Sequence, residues 1–349
     1  MSTSVIRLGL YGCGRRTRAL LDSLRADKLY EVVAAYDIRQ ETATELVEVY
    51  GGEVCTSSAD LVAASAVDAF VISLDPFAHP AAFHETLPAG KPIFIEKPVA
   101  LEAAEARRMR DAAAAAGGPV HVGFMRRYLP KHVAARAFIA ANPPGRIFSV
   151  NCRWFHPGET EMINMLNNWP DNFRLKLSQI PFHCCHALDV MRLYGGEVRS
   201  VRAAGLKLVD RPYPSPDEVI ATLEFTGGAI GSFAYSSMAY KADISYVVHA
   251  ENYTLTFDQG LEIWRRPPTA TQRGEGEPDC RTIYHPNIGP ERRNYPTGLP
   301  NAKIFVDFLR GVRTGTMKVT LDDAARVAEL AEAIETSWQD NVAVELPLG

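Results

Sequence analysis

Two hydrophobic rhythms run along this chain, and one gives way to the other near residue 123. Before that point, short apolar runs alternate with segments of helical spacing. Val5–Tyr11 reads as a strand ending on a Gly-rich turn, and Arg18–Leu24 follows with Leu20, Leu21 and Leu24 on one helical face. Tyr30–Tyr36 is β-rich and closes on Asp37, whereas Gln40–Tyr50 has helical spacing that stops at Gly51-Gly52. Val67–Leu74 predicts a buried strand, Pro80–Leu87 a helix and Lys91–Ile95 another strand. The Ala-rich stretch Leu101–Ala116 predicts a helix ended by Gly117-Gly118, and Val120–Phe124 one more strand. Strands alternating with helices in short units predict an α/β domain with a parallel, doubly wound sheet covered on both faces.

Beyond that point the texture changes. Lys131–Ala141 predicts a helix and Arg146–Phe155 alternates like a strand, while residues 156–178 are irregular and rich in Asn, Pro and Trp. A helix is predicted from about Pro181 to Tyr194, ending at Gly195-Gly196. Glu218–Phe225 and Ala229–Ser236 flank Thr226-Gly227-Gly228 as a hairpin, and Tyr246–Phe257 and Leu261–Arg265 continue the strands. Residues 266–300 are rich in Pro and Gly, lack periodicity and read as a long excursion. Helices at Ala302–Gly311 and Asp322–Trp338 close the chain. This half reads as α+β with an antiparallel sheet, so the expected domains are 1–123 and 124–349.

Composition narrows the picture. With 349 residues and 47% hydrophobic content, the chain can fill two cores. The formal net charge is −4 and no block of like charge occurs, which argues against a nucleic-acid or membrane-surface partner. The six cysteines (Cys13, Cys55, Cys152, Cys184, Cys185 and Cys280) form no C-x-x-C pair and read as thiols of a reducing compartment. Apolar runs fall short of the roughly 18 residues needed to span a bilayer, and the N-terminus enters a strand almost at once, with no room for a signal peptide. The expectation is a soluble, cytoplasmic protein.

The first chemistry sits in Gly12-Cys13-Gly14, where a strand ends and a helix begins. The first glycine permits the tight turn, and the second lets backbone approach a pyrophosphate at the helix start, where free N–H groups favour anions. Thr17 stands where G-x-G-x-x-G would have its third glycine. Asp37 lies 23 residues after Gly14 at the end of the second strand, placed for the adenine ribose hydroxyls. Its charge favours NAD over NADP, although Arg39 nearby leaves NADP possible.

At Glu96-Lys97-Pro98 the chain resembles the Gfo/Idh/MocA oxidoreductases. The likeness runs from V-D-A-F-V-I-S at Val67, through His79, to A-G-K-P-I-F-I-E-K-P. It continues through Gly123-Phe124-Met125-Arg126-Arg127-Tyr128, His186-Ala187-Leu188-Asp189 and the closing D-F-L-R-G. The resemblance implies an N-terminal Rossmann domain and a C-terminal α/β domain with a large, mostly antiparallel sheet. It implies a substrate between that sheet and the nicotinamide, and homo-oligomers, dimeric or tetrameric, formed through the open sheet. Oxidation of a secondary alcohol of a sugar or cyclitol, or the reverse, is the implied chemistry.

Hydride transfer needs a group that takes or supplies the hydroxyl proton. By resemblance Lys97 reaches the reacting oxygen; its place at a parallel-strand end is also where open α/β sheets bind ligands. The family's D-x-x-x-H pair ends at His186, but Phe182 occupies the acidic position here, and His183 stands three residues before His186 on the same predicted helix face. The catalytic candidates are therefore Lys97, His186 and His183. Expected cofactor contacts are Gly12, Cys13, Gly14, Arg15, Arg16, Asp37, Ser73, Leu74, His79, Glu96, Lys97 and Arg126. Substrate contacts are expected from Lys97, Arg126, Trp169, Asn172, His183 and His186, the polar and aromatic segment around Asn167, Asn168, Asp171 and Arg174 suiting a polyol. Arg127 reads as structural. Soft ligands at His183, Cys184, Cys185, His186, Asp189 and His156 do not converge, so no metal is expected.

The leading expectation is thus an NAD-dependent oxidoreductase of a sugar, cyclitol or derivative. A redox-neutral, NAD-dependent glycoside-cleaving enzyme is the alternative that Phe182 keeps open, and a non-catalytic NAD-dependent sensor is a third.

Overall fold

The computed structural model describes residues 5–156, 177–210, 214–265, 279–284 and 298–348. The chain forms two compact units, Met1–Tyr128 with Asn294–Ala328, and Leu129–Arg293 with Glu329–Gly349.

In the first unit, strands and helices alternate: β1 (Ile6–Tyr11), α1 (Arg15–Asp22), β2 (Tyr30–Tyr36), α2 (Gln40–Tyr50), β3 (Glu53–Val54), α3 (Ser58–Ala63) and β4 (Ala69–Ile72). They continue as α4 (His79–Thr86), β5 (Ile93–Ile95), α5 (Ala103–Ala116) and β6 (Val120–Val122). All six strands are parallel, in the order β3-β2-β1-β4-β5-β6. β4 is buried at every position, as a strand covered on both faces must be, and Phe70 and Phe94 are fully buried. Burial of side chains of that size contributes about 1.5–3 kcal/mol each. The order reverses between β1 and β4, and an open parallel sheet leaves its ligand crevice at the strand ends beside such a reversal.

The second unit begins with α6 (Pro130–Ala141) and β7 (Ile147–Phe155), followed by α7 (Gln179–Phe182) and α8 (Cys185–Gly195). Its remaining strands are β8 (Val198–Leu206), β9 (Glu218–Phe225), β10 (Ile230–Ser236), β11 (Asp243–Ala250), β12 (Thr254–Phe257), β13 (Leu261–Arg265) and β14 (Asp279–Tyr284). α9 (Gly298–Thr314) and the start of α10 (Leu321–Asp340) belong to the first unit; the rest of α10 and the last strand, β15 (Ala343–Glu345), belong to the second. The nine-stranded sheet has the order β14-β13-β12-β11-β7-β10-β9-β8-β15; β7 and β10 pair in parallel, and the other pairs are antiparallel. β9 alternates buried and open positions, the signature of a sheet with one covered face. α8 covers that face against β7 and is buried along most of its length.

The structure departs from the sequence expectation in several elements. β3 and α3 are too short to show a period, and β8 and β15 were not anticipated. The excursion at 266–300 contains β14. The single strand expected over Tyr246–Phe257 is two, β11 and β12, because the chain turns at Glu251-Asn252. The helix expected from Pro181 to Tyr194 is also two, α7 and α8, with His183 and Cys184 at the joint, so one continuous helix face does not carry His183 and His186.

The return of Asn294–Ala328 to the first unit has a packing reason. Phe305 and Phe308 of α9 meet Phe94 of β5 edge-on at centroid distances of 6.0 and 5.5 Å. The Val122 N–H donates to Val319 O at 2.9 Å, so the chain before α10 lines the edge of β6. Hydrophobic spacing marks α9 as amphipathic without naming the face it covers.

Candidate active site

In the first unit, β1 delivers the chain into the Gly12-Cys13-Gly14 turn. Gly12 has φ +97°, and a Cβ there would stand 2.3 Å from Ser73 O, so both backbone conformation and contact demand glycine. Thr17 is fully buried, and its hydroxyl donates to Gly12 O at 2.7 Å. The residue that breaks the three-glycine pattern therefore braces the turn from inside.

Asp37 ends β2 almost fully buried. Its Oδ2 accepts the Cys13 N–H at 2.9 Å and its Oδ1 the Arg39 N–H at 3.0 Å. A carboxylate has four lone-pair positions, so capacity remains for hydroxyl donors. The Arg39 side chain is 75% exposed, with Nε 3.9 Å from Asp37 Oδ1. Burial, reinforced by Asp37, pushes the Cys13 thiol up to about 12, which leaves it protonated and unreactive.

The geometry fits a dinucleotide. A Cβ on Gly14 would meet nothing within 4 Å, which leaves open space at the start of α1. No side chain caps that helix end, and its first turn contains no acidic residue. Arg16 Nη2 is a buried donor without a protein acceptor among the described residues. Free amides, open space and an unsatisfied cationic donor are what a pyrophosphate bridge needs.

At the end of β5, Glu96 is 4% exposed and accepts Arg16 Nε at 2.7 Å through Oε1. Its Oε2 accepts the backbone N–H of Lys97 at 3.2 Å. Gly123 gives it room, since a Cβ there would lie 2.7 Å from Glu96 Oε2. Lys97 itself is half-buried, and the Lys97–Pro98 peptide bond is cis. Pro98 O accepts the Nδ1–H of His79 at 2.8 Å, while His79 Nε2 accepts the Leu74 N–H at 3.2 Å. Those partners assign the tautomer. Complete burial depresses the His79 pKa to about 4, keeping the ring neutral.

His79 was expected among the cofactor contacts. With no exposed surface and both nitrogens used, it instead holds Leu74 and the Glu96-Lys97-Pro98 turn in place. Ser73 is buried and receives its hydrogen bond from β1, its N–H donating to Tyr11 O at 3.0 Å. Arg15 is exposed and Arg126 half-buried, on the turn Met125–Tyr128. Arg127 is buried and pairs with Asp323 at 2.9 Å, a structural ion pair.

In the second unit, His186 sits in the first turn of α8 and is 7% exposed. His183 is half-buried at the end of α7, edge-on to Trp154 at a ring distance of 5.6 Å. The His156 ring lies 4.5 Å from that of His183, nearly perpendicular to it. Phe182 is half-buried, and its carbonyl accepts the Cys185 thiol at 3.4 Å. Burial pushes the Glu335 carboxyl on α10 up to about 7, against the opposing effect of a hydrogen bond to Ser178. Trp169 and Asn172, with Asn167, Asn168, Asp171 and Arg174, lie outside the described residues. Among the described residues no three His, Cys, Asp or Glu side chains are grouped to hold a metal ion, and Cys13, Cys55, Cys152, Cys184 and Cys185 are free thiols. No helix among them is long and apolar enough to cross a membrane.

Sequence reasoning missed the Arg16–Glu96 pair, the bracing hydroxyl of Thr17 and the His156–His183 contact. Only the first left a signal: two arginines open α1, at the helix end where acidic residues are favoured.

Comparison with known proteins adds an independent view. Residues 6–124 match the model of the Gfo/Idh/MocA oxidoreductase family with an NAD-binding Rossmann fold, and residues 132–256 match the Gfo/Idh/MocA C-terminal domain. The chain is 28% identical over 247 residues to an inositol 2-dehydrogenase of Rhizobium meliloti, covering 69% of this chain and 71% of that protein. It is 30% identical over 144 residues to a glucose-6-phosphate 3-dehydrogenase of Bacillus subtilis, covering 41% of each. The match to the Bacillus protein thus spans less than half of either chain. Among solved structures, levoglucosan dehydrogenase in complex with NADH and levoglucosan superposes with a TM-score of 0.82 at 21% identity, covering 99% of this chain and 100% of that one. A myo-inositol dehydrogenase of Corynebacterium glutamicum gives 0.77 at 23% identity, covering 99% and 100%. At such identities the structural likeness speaks for the fold.

Proposed function

The chain belongs to the Gfo/Idh/MocA family of oxidoreductases, with an NAD-binding Rossmann unit at its N-terminus, and we propose that it interconverts a secondary alcohol and a ketone on a sugar, cyclitol or derivative. The observation that carries this reading is Lys97. It is half-buried at the end of β5, one strand away from the strand-order reversal, and its turn is bonded from both flanks. Relatives named for inositol and glucose 6-phosphate support a polyhydroxylated substrate.

A dinucleotide held by the Gly12-Cys13-Gly14 turn, Arg16 and Asp37 would supply the hydride acceptor for oxidation, or the donor for reduction. Lys97 donates a hydrogen bond to the reacting oxygen and stabilises the charge that develops there. His186 takes the hydroxyl proton in oxidation and gives it back in reduction. His183 and Arg126 hold further hydroxyls of the substrate. Asp37 receives the ribose hydroxyls, and its charge disfavours a 2′-phosphate.

A cytoplasmic homo-oligomer completes the proposal. The open sheet face, with Ile220 and Ile230 exposed at 66% and 63%, supports association, and light scattering tests it. For the activity, the test is a panel of polyols and glycosides with NAD, followed by both cofactor absorbance and product analysis. Stoichiometric ketone and reduced cofactor are expected. Aglycone release without net reduced cofactor would mark the redox-neutral cleavage instead, and binding without turnover across the panel would mark a sensor.

A further inference from the structure

Helix α7 is a single turn, Gln179–Phe182, and a helix that short does not hold itself together. Every backbone donor of the turn has a fixed destination. The Gln179 N–H donates to Ser215 Oγ at 3.1 Å and the Ile180 N–H to Ser178 Oγ at 3.3 Å. Pro181 has no N–H. The Phe182 N–H donates to Ser178 O at 3.3 Å, and the N–H groups of His183 and Cys184 donate to Gln179 O at 2.8 and 3.0 Å. Ser178 therefore holds the turn twice, once through its hydroxyl and once through its carbonyl.

Ser178 is buried and extended, with φ −120° and ψ 148°, the conformation of an N-cap residue. A hydroxyl has one proton to give and two lone pairs to receive with, so its cap is directed only when the proton has a fixed acceptor. That acceptor is Glu335 of α10, whose ionised carboxylate is favoured by its hydrogen bond with Ser178. Both residues lie in the second unit. Glu335 is half-buried and takes no part in the proposed chemistry. Burial, reinforced by Glu332 one turn earlier, raises its carboxyl to about 7. An apolar side chain would avoid that penalty; what the carboxyl alone supplies is an acceptor at Ser178.

We infer that Glu335 is a positioning residue for His183: it takes the proton of the Ser178 hydroxyl, which turns the Oγ lone pairs to the start of α7 and so fixes the residue that ends it. His183 is the C-terminal cap of α7, with its N–H on Gln179 O and its ring edge-on to Trp154 at 5.6 Å and to His156 at 4.5 Å. Where the turn is held decides where that ring stands. Hydrogen bonds in a chain polarise one another, so the bond between Ser178 and Glu335 also strengthens the one from Ile180. Glutamine in place of Glu335 keeps a carbonyl acceptor at the same reach, whereas leucine removes it.

The inference rests on the proposed role of His183 in holding substrate hydroxyls, so its test has one arm without substrate and one with it. In the first, amide hydrogen exchange of the full-length protein is followed by NMR. Glu335→Leu should speed exchange at Ile180, Phe182 and His183 about tenfold and leave β9 and β10 as in the wild type. Glu335→Gln should stay within about threefold of the wild type. Added to Ser178→Ala, Glu335→Leu should change these rates less than about twofold, since the two act through one hydroxyl. In the substrate arm, Glu335→Leu should raise KM for the polyol about tenfold with kcat and NAD affinity within about threefold, and Glu335→Gln should restore KM.

Wild-type exchange in Glu335→Leu would overturn the inference, as would losses that glutamine fails to reverse or that add in full to those of Ser178→Ala. An unchanged KM in Glu335→Leu would contradict it as well. Should wild-type protein oxidise no polyol, the proposed function fails, yet the exchange arm still decides whether Glu335 sets the turn that ends at His183. If Glu335→Leu does not fold, Glu335→Asp replaces it, its carboxylate drawn back from Ser178 by one methylene. Exchange at the same amides should then rise about fivefold, and the wild-type rate would contradict the assignment.

Discussion

The two clusters that bear the proposed chemistry are built in contrasting ways. In the first unit, hydrogen bonds between elements hold the groups at the strand ends: Glu96 to Arg16, Pro98 O to His79, Leu74 N–H to His79, and Cys13 N–H to Asp37. In the second unit, His183 lies in the joint between two helices and His186 in the first turn after it, and the His183 ring meets those of Trp154 and His156. The rigid cluster suits a constant partner, the dinucleotide and the atom it reacts with. A cluster on a helix joint can vary its side chains without disturbing the sheet below, which is where substrate choice is best placed. Phe182, at a position the resemblance makes acidic, is an instance of that latitude.

The contrast predicts unequal penalties. Lys97→Ala should lower kcat about 10³-fold while NAD affinity stays within about threefold, as read by steady-state kinetics and cofactor titration. Retained turnover would remove Lys97 from the mechanism. Gly12→Ala should cost the first unit about 2–4 kcal/mol, because the new Cβ meets Ser73 O at a positive φ. Hydrogen exchange resolved by unit would show the loss there and little change in the second. His186→Ala should lower kcat about 100-fold at unchanged NAD affinity; an equal loss of NAD affinity would mean that the second cluster also serves the cofactor.

Acid should weaken the first unit. His79 and His121 are fully buried, and burial lowers both from 6.5 to about 4. The unfolded chain binds these protons more readily than the folded one, so the stability they confer is complete above pH 6.5 and falls as pH drops toward 4. By about pH 5 each contributes a loss on the order of 2 kcal/mol. His121 is the cleaner probe. It lies between Phe94 and Phe308, and neither ring nitrogen has a partner among the described residues. His121→Phe should leave stability at neutral pH nearly unchanged and flatten the acid dependence; unaltered acid dependence, followed by denaturant midpoints, would refute the assignment. The smallest effect is expected for Asp37→Ala, about tenfold in the NAD/NADP preference, and an unchanged ratio would show that the ribose hydroxyls bind elsewhere.

How legible each cluster was in the sequence follows from the same contrast. Gly12, Gly14, Asp37 and Glu96-Lys97-Pro98 were readable because strand ends sit at regular intervals along an alternating chain, and the backbone turn that needs glycine has a narrow composition. His79 was readable as a residue of interest but not as a buried clamp, since its burial depends on α4 and on the carbonyl of Pro98. Asn301 was invisible, because nothing in its local pattern ties α9 to α1 or to Glu96. The joint at His183-Cys184 was hidden for another reason. I-P-F-H-C-C-H-A-L-D has continuous helical spacing, and only tertiary packing decides that Gln179–Phe182 and Cys185–Gly195 are separate.

The central claim is that this chain moves a hydride between a polyol carbon and NAD, with Lys97 at the reacting oxygen. It is tested most directly by supplying a polyol turned over by the protein, deuterated at the oxidised carbon, and recovering the reduced cofactor for mass analysis. The account predicts deuterium in the reduced cofactor in step with ketone formed, and neither product from Lys97→Ala. Conversion of the polyol with no deuterium on the cofactor, or undiminished transfer in Lys97→Ala, would contradict it.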